Sequence, residues 1–297
     1  MNTTSTAQDS TSSTPRDQQP VANLLTIAGI DPSGGAGIMA DVKTFSALGT
    51  YACAVVCALT AQNTQHVSGI HEVPPSFIKL QLDTLFSDVR IDYAKIGMLG
   101  NAAAAKAVAD TLAPLLASGQ LPGCVLDPVM ISKGKDILLP MDAIEALVDF
   151  VLPLATVITP NLPEAAILVG RRAPENLDEM RVVAEHVRKL LGSDGQRWVL
   201  LKGGHLTSDP VDLLYDGEQM IEMPAVRIDT RNLHGTGCTL AAALAALIPQ
   251  SPDVPTAARA AKDYLLKALQ ASDQLSVGRP DIPNHHGPVH HFHQLWH

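Results

Sequence analysis

The segment Leu24-Leu25-Thr26-Ile27-Ala28-Gly29-Ile30-Asp31-Pro32-Ser33-Gly34-Gly35-Ala36-Gly37 sets the pattern for the whole chain. A short apolar run, residues 24–28, reads as a buried strand. Glycines and a proline then break it, and a helical pattern follows over 36–48. The unit recurs. Further strands are expected at 52–59, 93–96, 124–128, 156–159, 198–202 and 212–215. Further helices are expected at 75–86, 101–116, 141–152, 162–169, 178–191, 235–247 and 254–274. Continuous apolar strands separated by helices require a mostly parallel sheet covered on both faces, so the fold class is α/β, a three-layer α/β/α sandwich. No linker or repeat interrupts residues 21–275, and 21–297 read as one domain behind a tail, 1–20.

In open sheets of this kind ligands bind beyond the carboxyl ends of the strands. Here the glycine-rich and polar segments follow strands: 29–37, 62–63, 97–98, 127–130, 160–164 and 203–205. They are expected to gather on one edge.

Composition narrows the function. The 297 residues are 46% hydrophobic and 17% charged, enough for a large core. A net charge of -9 gives no support to a nucleic-acid or anionic-membrane role. The tail is rich in Ser, Thr and Gln and contains acids, so it reads as disordered rather than as a secretory or organellar leader. No apolar run is long enough to span a membrane, and the expected location is cytoplasmic. Four cysteines (Cys53, Cys57, Cys124, Cys238) are too few for a disulfide framework, and Cys53 and Cys57 read as buried apolar residues. Six histidines crowd the last thirteen residues without cysteine or carboxylate partners, a weak metal pattern.

The chemistry concentrates in Asn232-Leu233-His234-Gly235-Thr236-Gly237-Cys238-Thr239-Leu240, which opens into a run of strong helix formers. Small residues at a helix start leave backbone N–H groups unpaired and let a phosphate approach the main chain. Cys238 sits inside that turn. It reads either as inert packing or as a base whose pKa the helix dipole lowers and a neighbouring phosphate raises.

Other residues carry paired readings. The 34–37 glycine loop lacks the end of a Walker A motif and the spacing of a dinucleotide fingerprint, so it is a tight turn or a ligand contact. Asp41 either favours the helix dipole or bonds a polar substrate group. Gln62 offers a donor and an acceptor, suited to an aminopyrimidine edge or to a solvated loop. Asp127 and Glu164 suit Mg²⁺, which takes one or two carboxylates with water and substrate phosphates; they also suit a turn cap and a helix-start acid. Lys202 follows a buried strand beside two glycines, placed for a phosphate or for snorkelling.

Taken in order along the chain, these segments resemble the hydroxymethylpyrimidine/phosphomethylpyrimidine kinases of the ribokinase-like superfamily. The resemblance runs from about Leu24 to His293 and rests on residues 26–37, 61–64, 95–99, 158–165, 202–205, 234–239 and the 287–293 tail. It implies a dimeric enzyme that moves the γ-phosphate of ATP, with Mg²⁺, to 4-amino-5-hydroxymethyl-2-methylpyrimidine and then phosphorylates the monophosphate. By resemblance Gly235, Thr236 and Gly237 form an anion hole and Cys238 is the base. Ala28, Gly29, Asp41, Gln62, Met98 and Val129 line the pyrimidine site. Lys202, Asn161 and Thr239 serve the ATP phosphates, and Glu164 with Asp127 serves the metal. A pyridoxal/pyridoxine kinase is the nearest alternative, since some Cys-bearing relatives use that ring. A non-catalytic ligand-binding module on the same fold is the second.

Overall fold

A computed structural model describes residues 20–130, 139–193, 195–206, 210–279, 281–282 and 285–296. The tail reading for residues 1–20 falls almost wholly outside these.

Strands β1 (Asn23–Ile30), β2 (Tyr51–Gln62), β3 (Val67–Glu72), β4 (Tyr93–Ile96), β5 (Cys124–Leu126), β6 (Val157–Ile158), β7 (Trp198–Leu201), β8 (Val211–Tyr215) and β9 (Met220–Pro224) form one sheet. Its order is β3-β2-β1-β4-β5-β6-β7-β8-β9. The β2-β1-β4-β5-β6-β7 block is parallel throughout, while β3, β8 and β9 are attached antiparallel at the two edges. The chain leaves β1 for β2 on one side and returns for β4 on the other. Loops at the carboxyl ends of β1 and β4 therefore diverge, opening the crevice that open α/β sheets use for ligands.

Two expectations are corrected. Strands β3 and β9 were not anticipated: β3 is exposed along most of its length and β9 ends at a proline on the edge, so neither presents the apolar run that marks a buried strand. The helix expected at 141–152 is regular only over Met141–Ala146, then continues as a π-helical turn and a short 3-10 turn around Pro153.

Helices α1 (Gly37–Ala47), α7 (Thr236–Leu247) and α8 (Val254–Gln270) cover one face of the sheet; α2 (Pro75–Phe86), α3 (Ala102–Ala117), α4 (Met141–Ala146), α5 (Leu162–Val169) and α6 (Leu177–Leu190) belong to the other. Strand alternation assigns each side chain to a layer. Leu25, Ile27, Ala94, Ile96, Cys124, Leu126, Val199 and Leu201 face the larger layer. Leu24, Tyr93, Val125, Val157, Trp198 and Leu200 face α1, α7 and α8. Among the described residues no helix is long and apolar enough to cross a membrane.

Candidate active site

That alternation also builds the site. Thr26, Lys95, Asp127, Thr159 and Lys202 each stand next but one after a residue of the α1/α7/α8 layer, so all five project toward that layer, the last four at or near the strands' carboxyl ends and Thr26 beside them in mid-β1. The start of α7 meets them there. Gly237 lies so close that a Cβ on it would stand 3.4 Å from Lys202 Nζ and 3.8 Å from Asp127 Oδ2.

The turn is set by Gly235, the N-cap of α7, in the left-handed region at φ 78. A side chain there is barred twice, because a Cβ would also stand 1.7 Å from the Gly35 carbonyl oxygen. Thr236 closes the turn locally: its N–H and hydroxyl both donate to the Leu233 carbonyl, at 3.3 and 2.6 Å. The N–H groups of Gly235, Gly237 and Cys238 find no acceptor among the described residues, which leaves an anion cradle at a helix N-terminus. Next to it, the Thr239 N–H donates to Gly235 O at 2.8 Å, and the buried Thr239 hydroxyl pairs with His291 Nε2 at 3.1 Å.

Beside the cradle, Asp127 Oδ1 accepts from Thr159 at 3.0 Å and from Lys202 Nζ at 3.2 Å, while its buried Oδ2 has no partner. Asn161 and Glu164 form a capping box at the start of α5: each side chain accepts the other's N–H at 2.8 Å. The capping reading thus describes Asn161. Glu164 keeps a second neighbour, Lys202 Nζ at 3.9 Å. Burial pushes the Glu164 carboxyl up to about 7, with Lys202 opposing and Asp127 adding. Burial pulls the Lys202 ammonium down, but the two acids outweigh it and hold it above the ordinary lysine value.

Asp41 lies beyond the first turn of α1 and is fully enclosed, which leaves the helix-dipole reading without support. Its Oδ2 accepts from Thr26 at 2.6 Å and from Lys95 Nζ at 2.9 Å; its Oδ1 is unpartnered. Thr26 and Lys95 are register partners in the β1–β4 pair, which explains the convergence. Burial raises the Asp41 carboxyl against these partners. Burial alone would lower Lys95, but Asp41, then Cys238 and Asp127, hold its ammonium above the usual value. Lys95 was not singled out from sequence. A lysine inside a four-residue strand that is buried at every position was the available signal.

Burial pushes the partly enclosed Cys238 thiol up to about 11; Lys95 and the Gly37 amide oppose this, and Asp127 and Asp41 reinforce it. The direction left open by sequence is therefore upward. On the ring side, Ala28, Gly29 and Met98 gather at the β1 and β4 ends, where a Cβ on Gly29 would stand 2.9 Å from Met98 Cε. Gln62 Oε1 accepts from Thr60 at 3.2 Å, and Thr60 donates to Ile30 O at 2.8 Å, tying the end of β2 to the first loop. Val129 caps the same edge after β5, its N–H on Asp127 O at 2.8 Å.

On the opposite side of the turn a cleft of about 690 Å³ descends from Asn161, Lys202, Thr236 and Gly237 to an apolar wall that includes Val226, Ile228, Leu233, Leu265 and Leu269. This wall was also missed from sequence, since its residues come from separate elements and share no motif.

Known proteins match this architecture. The phosphomethylpyrimidine kinase family matches residues 31–290. A hydroxymethylpyrimidine/phosphomethylpyrimidine kinase from Escherichia coli is 48% identical over 277 residues, 92% of this chain and 98% of its own. Among solved structures, the phosphomethylpyrimidine kinase from Clostridium difficile 630 has a TM-score of 0.72 at 36% identity, covering 84% of this chain and 99% of that one. The pyridoxal kinase from Staphylococcus aureus in complex with AMP-PCP and pyridoxal has a TM-score of 0.79 at 30% identity, covering 92% and 94%. A family match over residues 31–290, and near-half identity over 92% of the chain, make the chain a member of the phosphomethylpyrimidine kinase family.

Proposed function

We propose that this enzyme transfers the γ-phosphoryl group of ATP to the hydroxymethyl oxygen of 4-amino-5-hydroxymethyl-2-methylpyrimidine, then phosphorylates the monophosphate to the diphosphate, as in thiamine biosynthesis. The observation that carries this is the open cradle at Gly235, Gly237 and Cys238, set between a ring-sized group of residues at the β1 and β4 ends and a cleft with an apolar floor. The apolar wall suits the adenine base and the polar mouth its phosphates. ATP as donor also fits a cytoplasmic setting.

Phosphoryl transfer asks a protein for positioning and charge stabilisation. The alcohol oxygen attacks the γ-phosphorus as the bond to the ADP oxygen breaks, and the free N–H groups meet the charge on the transferring group. Lys202 adds a fixed positive charge. Cys238 takes the hydroxyl proton late in the transfer.

The residues present fit Mg²⁺. Asp127 Oδ2 is buried without a partner, and the Glu164 carboxylate lies across Lys202 from it. Mg²⁺ in nucleotide sites takes one or two carboxylates and fills its shell with phosphate oxygens and water. When bound it supplies neutralisation of the polyphosphate charge. Glu164→Gln raises the Mg²⁺ concentration for half-maximal rate severalfold; an unchanged requirement places the metal elsewhere.

We read the chain as a homodimer, supported by exposed Tyr51, Leu59 and Ile70 on the β2–β3 hairpin and Phe77 and Leu80 on α2.

Pyridoxal is the competing alcohol, favoured by the fold shared with pyridoxal kinases. The test is kcat/KM for the two alcohols with ATP. The pyrimidine is expected to lead by at least about tenfold, or about 1.4 kcal/mol. A clear preference for pyridoxal with negligible pyrimidine turnover overturns the assignment. No ATP consumption with either alcohol would point to the non-catalytic module.

A further inference from the structure

The first glycine loop and the phosphate turn, about two hundred residues apart in sequence, touch directly. A Cβ on Gly35 would stand 2.2 Å from His234 Cδ2, and one on Gly235 would stand 1.7 Å from the Gly35 oxygen. A side-chain link joins them: His234 Nε2 donates to Asp31 Oδ2 at 2.6 Å. That carboxylate also accepts from the N–H of Ser33 at 2.8 Å, the Ser33 hydroxyl at 2.9 Å and the N–H of Ala36 at 2.9 Å. Asp31 thus gathers residues 31–36 into one shape and fastens it to the residue preceding the anion cradle.

His234 is itself held from behind. Its N–H donates to Gly287 O at 3.0 Å, and its carbonyl accepts from Val289 N at 3.4 Å. Val289 is fully buried, and His291 pairs with Thr239 on the far side of the cradle. Burial pushes His291 down to about 3, so it stays neutral there. The C-terminal segment therefore grips the cradle at both ends, and His234 passes that constraint to the first loop.

We infer that His234 is a positioning residue for phosphoryl transfer: through Asp31 it fixes the loop beside the alcohol against the turn that receives the phosphoryl group. The inference rests on the kinase reading above. The ring touches neither reacting atom in this scheme; it sets the distance between them. Misplacement by about 1 Å costs about 10²-fold in rate, so the effect belongs in kcat rather than in binding.

The experiment compares His234→Leu, His234→Gln, Asp31→Asn and the double variant Asp31→Asn/His234→Leu in steady-state assays with the pyrimidine alcohol. Glutamine places an amide donor near the position of Nε2; leucine keeps bulk and removes the donor. The expected result is a kcat about 10- to 100-fold lower for His234→Leu, with both KM values within about threefold. His234→Gln returns to within about threefold of the parent, and the double variant is no slower than the slower single. Hydrogen exchange over residues 29–37 rises in the leucine variant and not in the glutamine variant. A parental kcat in His234→Leu, an equal fall in His234→Gln, or losses that multiply in the double variant each overturn the inference. Should His234→Leu not fold, Asp31→Asn read against His234→Gln makes the same comparison. A parent chain without pyrimidine kinase activity sinks the functional reading instead, so the two failures are distinct.

Discussion

Replacing Cys238 with alanine lowers kcat by about 10²–10⁴-fold and leaves the KM for the alcohol within a few-fold. The thiol stands in the turn whose N–H groups find no acceptor among the described residues, the turn proposed above to receive the phosphoryl group. Its pKa decides how it acts. Pushed up to about 11 by burial, it is ionised at neutral pH in only about one molecule in 10⁴. Only that thiolate fraction can accept the hydroxyl proton, and Lys95 is the nearby cation that favours the charged sulfur. The sign of the pH dependence follows. The active form is deprotonated and its pKa is raised, so kcat/KM in the parent rises from pH 7 toward the thiol pKa. The alanine variant loses that rise. Near-normal turnover in Cys238→Ala would show that the cradle and Lys202 suffice by positioning alone.

The same contrast between exposed pattern and buried parity explains what was legible in the sequence. Strands β1, β4 and β7 carry near-continuous apolar residues because both faces are covered, and they stand out. Strands β3 and β9 bury little and do not. The polar residues after parallel strands were readable as a group, since the topology sends every such loop to one edge. The pairing among them was not. Asp127 with Lys202, and Asp31 with His234, join positions far apart in the chain, and a single sequence holds no signal for such contacts. Asp41 was read either as a helix-dipole acid or as a contact to a polar substrate group. Its place on the buried face of α1, among Ile38, Thr44 and Phe45, is what the helical period alone would have assigned it. Thr239, one residue past Cys238, is buried with His291 on its hydroxyl, another contact between distant positions.

Lys95→Met destabilises the fold by about 3–5 kcal/mol, the cost of leaving a buried carboxylate without its cation. Lys95 and Asp41 side chains are both 0% exposed, so their 2.9 Å pair is closed off from bulk solvent. Thr26 remains as one hydrogen-bond donor to Asp41, so part of the loss is recovered as the carboxyl takes up a proton. The pH dependence follows from that proton. The folded-state pKa of Asp41 is already raised above its ordinary 3.8 by burial, and removing Lys95 raises it further. A group with a raised folded pKa stabilises fully below its unfolded pKa and loses that stabilisation as pH rises through the folded value. The deficit of Lys95→Met relative to the parent is therefore smaller at pH 5 than at pH 8, and thermal unfolding at the two values reads it directly. An equal deficit at both would mean that Asp41 does not titrate in the variant. The double variant Asp41→Leu/Lys95→Met separates stability from chemistry. Replacing both charges with apolar side chains is expected to restore most of the parental stability. It leaves Cys238 without its cation, however, so kcat stays low while the unfolding temperature recovers. Recovery of kcat along with stability would reduce the pair to a packing element and remove Lys95 from the proton transfer.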